Sequence, residues 1–391
     1  MKSSTFAFSI KLPKIVFGEN AIERIGEEAE KIGGKRILVV TDEILQKIGL
    51  IKKVQKPLQD KNFEVTIVKT EPEPTIETAE KIAQIVRNSS FDIIVGVGGG
   101  SCLDMAKVAS IAANNPGDIK QYIGINKIKR AGLPKILVPT TAGTGSEVTP
   151  NAIIITSDDL MKSGIVSEYN IADVSIVDPR LTESMPPRLT ATTGLDALSH
   201  AIESYMSIKS NPLTDALALE ATRLILANLY TAFTNGKNIE ARSNMSMAAL
   251  LAGITISMSG TCAGHAAAYA FAAKYKIPHG LSCAVSLPYI IKYNASVCPS
   301  KIIELSHVID KDATALTLEE ATKKVIERIV DLMEKLCIPY KLKDLNIPAD
   351  DIPNLAKRMI GNTRLLANNP KQVSEEDAIE IFKNMWEGRL T

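Results

Sequence analysis

The chain has 391 residues, of which 45% are hydrophobic and 23% charged, and its formal net charge is +1. That length exceeds one ordinary core and predicts two domains. The near-neutral balance leaves no electrostatic case for nucleic acid or an anionic membrane surface as a partner.

The opening stretch, MKSSTFAFSIKLPK, has no long apolar run and no small-residue cleavage site, so no signal peptide is expected. Short apolar runs then alternate with helical patterns. Strands are expected at 36–41, 63–69, 93–97, 135–139 and 175–178, with helices at 75–89 and 103–114 between them. This rhythm predicts a parallel sheet covered by helices. Asp42 closes the first strand. In a nucleotide-binding fold an acid at a strand end can accept hydrogen bonds from ribose hydroxyls, and it would repel the extra phosphate of NADP; the plain alternative is a turn aspartate.

The run Ile93-Ile94-Val95-Gly96-Val97-Gly98-Gly99-Gly100-Ser101 passes from a strand directly into a helix. Glycines there let the backbone approach a ligand, and the helix N-terminus offers N–H groups to a pyrophosphate. The spacing is not GxGxxG, and a tight turn without a ligand is the plain alternative. A second loop, Pro139 to Thr149, also follows a strand and is dense in hydroxyls and small residues. Two such loops at the carboxyl ends of parallel strands point to a nucleotide crevice.

After Pro186-Pro187 strand signals almost vanish. Helices are expected at 190–207, 211–235, 239–257, 302–308, 317–336, 352–359 and 374–386. The reading is an α/β nucleotide-binding domain over 1–186 and an all-α domain over 187–391. From Ser243 to Ala273 no Asp, Glu, Lys or Arg occurs, a length that could span a bilayer. Its Asn, Ser, Thr, Gly and His content favours a buried helix or helix pair instead.

The chain has four histidines. Asp196 and His200 stand four apart in a helical stretch, so both project from one face and can grip one divalent cation. Alone, such a pair is more often a surface contact, but the small apolar residues Ala191, Ala197 and Ala201 around it favour burial. His265 lies in the uncharged stretch, where a lone histidine is usually a satisfied core residue. His279 lies in a Pro-His-Gly turn, and His307 has no such context. One Asp and three His make a mixed oxygen–nitrogen set suited to Fe(II) or Zn(II). The five cysteines, Cys102, Cys262, Cys283, Cys298 and Cys337, are scattered and form no CxxC pair, which argues for reduced thiols in the cytoplasm.

These residues resemble the iron-containing (group III) alcohol dehydrogenases over nearly the whole chain. Gly98-Gly99-Gly100-Ser101-x-x-Asp104-x-Ala106-Lys107 is similar to the family's GGGSxxDxAK, and Pro139 to Thr149 to its PTTAGTGSEVT loop. The most specific segment is Thr193-Gly194-Leu195-Asp196-Ala197-Leu198-x-His200-Ala201-x-Glu203, followed by His265-Ala266 and Pro278-His279-Gly280. The resemblance implies the dehydroquinate synthase-like two-domain fold, a homodimer or higher homo-oligomer, and iron or zinc held by Asp196, His200, His265 and His279. It implies cofactor contacts at Asp42, Gly99, Gly100, Ser101, Asp104, Thr140, Thr141, Thr149, Asn151 and Lys162, with NAD preferred to NADP. The activity implied is NAD(P)-linked interconversion of a small primary alcohol or diol and its aldehyde. Many relatives carry a histidine four residues after the third ligand. Tyr269 stands there instead, one turn from His265, where a phenol can relay a proton or shape the pocket. A related polyol or sugar-phosphate oxidoreductase of the glycerol dehydrogenase or dehydroquinate synthase type is the alternative enzyme, and a non-catalytic nucleotide- or metal-binding protein the alternative class.

Overall fold

Runs of Val, Ile and Leu in the first half become strands covered on both faces, as a parallel sheet between helices requires. The computed structural model describes residues 8–156, 161–310 and 315–390. It divides into two units, Met1–Ser184 and Met185–Thr391.

The strands are β1 (Lys14–Phe17), β2 (Arg36–Asp42), β3 (Glu64–Thr70), β4 (Ile93–Gly98), β5 (Gly124–Ile125), β6 (Lys135–Pro139), β7 (Asn151–Thr156), β8 (Met161–Val166) and β9 (Val174–Val177). The helices of this unit are α1 (Ile25–Ile32), α2 (Glu43–Lys47), α3 (Ile51–Gln59), α4 (Ile76–Arg87) and α5 (Gly100–Asn114). Six strands form one sheet in the order β1-β9-β6-β4-β2-β3, every neighbouring pair parallel. β5, β8 and β7 form a separate small sheet. Alternation sorts the large sheet's side chains. Leu38, Val40 and Ile94 pack with Ala83, Leu103 and Ala109 of α4 and α5 on one face, while Ile37, Val39 and Val95 pack with Ile25, Val54 and Leu58 of α1 and α3 on the other.

The five expected strands are present within one residue of their expected ends. β1, β5, β7 and β8 were not expected from sequence. β1 is a four-residue edge strand whose pairing with β9 joins residues about 160 apart, so no local signal marks it.

Lys135 of β6 is buried, and its ammonium donates to the Ile171 carbonyl at 3.2 Å. Burial lowers its pKa from the ordinary 10.5 to about 8, against a partial opposing pull from Asp173. Below pH 8 both folded and unfolded chains carry the proton. Between about pH 8 and 10.5 only the unfolded chain does, so the penalty of burying the charge is relieved as pH rises, by at most about 3 kcal/mol. Urea unfolding from pH 7 to 10.5 is therefore expected to show wild-type stability rising relative to Lys135→Met above pH 8. A constant difference across that range would contradict a charged, buried Lys135 below it.

The second unit is helical: α6 (Pro187–Met206), α7 (Pro212–Thr234), α8 (Ile239–Ser259), α9 (Ala263–Ala272), α10 (His279–Asn294), α11 (Pro299–Ile309), α12 (Leu318–Lys335), α13 (Ile352–Ile360), α14 (Thr363–Leu366) and α15 (Glu375–Glu387). α6, α7 and α8 pack through small residues, Ala201 against Ala221 and Ala252. Arg242 of α8, almost wholly buried, ties the start of α6 by donating to Thr190 Oγ1 at 2.9 Å and to the Met185 carbonyl at 3.2 Å. Among the described residues no single helix is long and apolar enough to cross a membrane. The uncharged stretch resolves into α8 and α9, bent by 102° across the Gly260–Cys262 break and largely buried.

Candidate metal centre and nucleotide loops

α6 begins with proline at its first position, where no intrahelical N–H bond is lost. Two turns in, Asp196 and His200 point from one face, both buried. The α8–α9 break turns the chain so that His265, in the first turn of α9, faces the same place. His279 is the first residue of α10 rather than a free turn. Gly280 follows it because α10 starts hard against α6: a Cβ there would stand 2.3 Å from the Thr192 carbonyl oxygen and 3.3 Å from Asp196 Cβ.

These four side chains converge. Asp196 Oδ1 lies 3.7 Å from His200 Nε2, 3.8 Å from His265 Nε2 and 3.7 Å from His279 Nε2. All four donor atoms fall within 4.8 Å of one another. The His200 and His265 rings stack at 4.8 Å. Only His279 is appreciably open, at 25% side-chain exposure. His307 is exposed and stands apart.

Asp196 Oδ1 and His265 Nε2 are buried without a hydrogen-bond partner. A buried carboxylate oxygen and a ring nitrogen left so would cost several kcal/mol, about 1–3 kcal/mol for each neutral group and more for a charge. A divalent cation removes that cost. Ligand atoms about 2.0–2.2 Å from one ion stand roughly 3–4 Å apart, so the set fits with small adjustment. Burial raises the pKa of Asp196, but the charges of His200, His279 and His265 outweigh it and hold the carboxyl below its usual range. Cys283, one turn along α10, brings its Sγ within 3.7 Å of the His279 ring nitrogens. Tyr269 sits beside the group, its ring centroid 6.3 Å from that of His265 and 5.5 Å from that of His279.

In the first unit, β2, β4 and β6 are adjacent, so the loops after them emerge together at their carboxyl ends. Asp42 ends β2, Gly99 and Gly100 open α5, and Thr140 and Thr141 follow β6. The Thr140 N–H donates to the Gly98 carbonyl at 3.0 Å, which binds the second loop to the first. Gly99 precedes α5 without a side chain to cap it, which leaves the opening N–H groups of the helix without a side-chain acceptor, the arrangement that suits an anion. Asp42 also caps α2, accepting from the Leu45 N–H at 2.8 Å.

Ser101 accepts from the Glu73 N–H at 3.1 Å, and Lys162 donates to Glu73 Oε1 at 2.8 Å. Asp104, Thr149 and Asn151 meet at Lys107. Its ammonium donates to the Asn151 carbonyl at 2.5 Å, Ser146 Oγ at 2.7 Å, Asp104 Oδ1 at 3.3 Å and Thr149 Oγ1 at 3.4 Å. Asp104 further accepts from Ser146 Oγ at 2.6 Å and from the Ile153 N–H at 2.9 Å.

Sequence reasoning assigned no role to Lys107 or Glu203, although both fall in the quoted motifs. An acid or base embedded in a run of Ala, Ile, Val and Ser was the available signal, since such a group must be paired when buried.

Residues 13–179 match the family model described as iron-containing alcohol dehydrogenase, and residues 190–386 match that of the C-terminal part of the Fe-containing alcohol dehydrogenase family. A long-chain-alcohol dehydrogenase of Geobacillus thermodenitrificans is 38% identical over 95% of both chains. An NAD-dependent methanol dehydrogenase of Bacillus methanolicus is 32% identical, over 95% of this chain and 98% of its own. A crystal structure of 1,3-propanediol oxidoreductase superposes with a TM-score of 0.94 at 37% identity, covering 97% of this chain and all of that one. With both halves matched and the expected α/β and helical units present, the chain belongs to the iron-containing alcohol dehydrogenase family.

Proposed function

We propose that the chain interconverts a small primary alcohol or diol and its aldehyde, with NAD as the hydride carrier and Fe(II), or Zn(II) in its place, held by Asp196, His200, His265 and His279. Metal-dependent oxidoreductase chemistry on alcohols or diols is what membership of the family establishes. The observation that carries the site assignment is the buried convergence of one carboxylate oxygen and three imidazole nitrogens within 4.8 Å. When bound, the ion supplies Lewis-acid polarisation of the alcohol oxygen and the nicotinamide accepts the hydride.

The chain's own residues do the rest. The α5 N-terminus, with Gly99, Gly100 and Ser101, takes the pyrophosphate, with Thr140 and Thr141 on the neighbouring loop. Asp42 holds the ribose hydroxyls and disfavours a 2′-phosphate. Asp104, Thr149, Asn151 and Lys162 act by bracing these loops, given the bonds they already make. Tyr269 occupies the proton-carrying position. Positioned acid–base groups contribute roughly 10²–10⁴-fold, so Tyr269→Phe is expected to lower kcat by about 10²-fold and to flatten its pH profile. A fall below about threefold would leave the ring as pocket wall alone.

Chelation followed by metal add-back, read at the NADH absorbance band with a panel of short alcohols, diols and aldehydes, tests the function. Full turnover by verified metal-free protein contradicts it. The five cysteines are thiols rather than disulfides, which supports a reducing cytoplasm. A homodimer or larger homo-oligomer is proposed by analogy with relatives, and light scattering on the purified protein tests it.

A further inference from the structure

Glu203 lies on α6, three residues beyond His200, and is almost wholly buried. Its two oxygens are divided. Oε2 accepts from the backbone N–H groups of Cys262, at 2.7 Å, and His265, at 3.2 Å. Those are the opening N–H groups of α9, whose own N-cap residue, Cys262, contributes no side-chain cap. A carboxylate from another helix therefore caps it. Oε1 lies 2.6 Å from His265 Nδ1. Gly264 makes room for this, since a Cβ there would stand 2.6 Å from Oε1.

An ionised carboxylate only accepts, so the ring nitrogen facing it carries the proton. With that proton on Nδ1, Nε2 keeps its lone pair, and Nε2 is the buried atom that lacks a hydrogen-bond partner and faces Asp196 Oδ1. We infer that Glu203 is the positioning residue of the metal centre: it locks the His265 ring by Nδ1 and presents Nε2 to the ion. The inference rests on the metal-site reading above. One helix then supplies two ligands, Asp196 and His200, and the group that orients a third. Partners of this kind fix tautomer and ring orientation, and losing one typically weakens metal binding roughly 10–100-fold.

Glu203→Gln tests it. If the amide oxygen keeps the two backbone bonds, the NH2 group meets Nδ1 and drives the ring proton onto Nε2, the liganding atom. The variant is expected to bind Zn(II) roughly 10–100-fold more weakly in competition with a chromophoric chelator, while its metal-free melting temperature stays within a few degrees of wild type. Zn(II) binding within about threefold of wild type overturns the inference and leaves Glu203 as a helix cap only. A second readout needs no variant. The chain has four histidines, so selective 15N-histidine labelling of the Zn(II)-loaded wild type gives a sparse spectrum. It should show His265 coordinated through Nε2 with a protonated Nδ1, and coordination through Nδ1 overturns the inference even if Glu203→Gln does not fold. Wild-type protein that holds no Zn(II) sinks the metal-site reading itself, and this inference with it.

Discussion

Replacing His265 with alanine is expected to abolish bound metal and turnover together, while NADH affinity changes less than about threefold. The ring supplies one of four donors, and it is the most deeply enclosed of the three imidazoles. Losing it removes a ligand, opens a cavity, and leaves Glu203 Oε1 without its ring partner. The fold should survive, because Glu203 Oε2 still caps α9 through the Cys262 and residue-265 N–H groups. The cost in stability is on the order of 2–4 kcal/mol, from cavity and lost bond combined. The residues proposed to hold NADH belong to the first unit, at the ends of β2, β4 and β6, whereas His265 belongs to the second. Elemental analysis, the NADH absorbance assay and an NADH fluorescence titration read the three quantities separately. Retained metal with retained turnover would remove His265 from the ligand set. Lost NADH binding would mean that the variant had damaged more than the centre.

The parallel sheet was readable because its interior strands are buried on both faces, and runs such as Ile93 to Val97 announce that locally. The long helices were readable from their helical patterns, and Asn211, Asn238, Thr317 and Ser374 cap four of them, each accepting an N–H of the first turn. What escaped depends on distant partners. β7 and β8 acquire strand character by pairing with each other, and nothing in Met161 to Val166 alone demands it. α10 was hidden by its own composition: Pro278 and Gly280 read as a turn, and Pro288 lies within the helix. The four ligand types were legible one by one, but their convergence needed the 102° bend between α8 and α9, an angle no periodicity encodes. Glu203 stood out only as an acid in an apolar run, and its role was hidden because its partners, Cys262 and His265, lie about 60 residues away.

Lys107→Met is expected to destabilise the first unit by about 3–5 kcal/mol, because it strips the counter-charge from a buried carboxylate. Lys107 is fully enclosed, and burial pulls its pKa below the ordinary lysine value although Asp104 opposes the fall. Methionine replaces the stem but none of the bonds to Asn151, Ser146, Asp104 and Thr149. Asp104 is then left with hydrogen bonds from Ser146 and Ile153 alone. For a unit of this size the loss corresponds to a drop in melting temperature on the order of 10 °C. The double variant Asp104→Asn, Lys107→Met should be less destabilised than Lys107→Met by itself, since no uncompensated charge stays buried and asparagine still accepts from the Ile153 N–H. The same lysine ties the loop after β6 to the start of β7, so NADH binding is expected to weaken roughly tenfold, about 1.4 kcal/mol, with metal content unchanged. That pattern is the reverse of the one expected for His265→Ala. Seen together in one set of measurements, the two variants separate nucleotide loops from metal centre. A Lys107→Met protein within about 1 kcal/mol of wild type would show that the ammonium does not brace this loop.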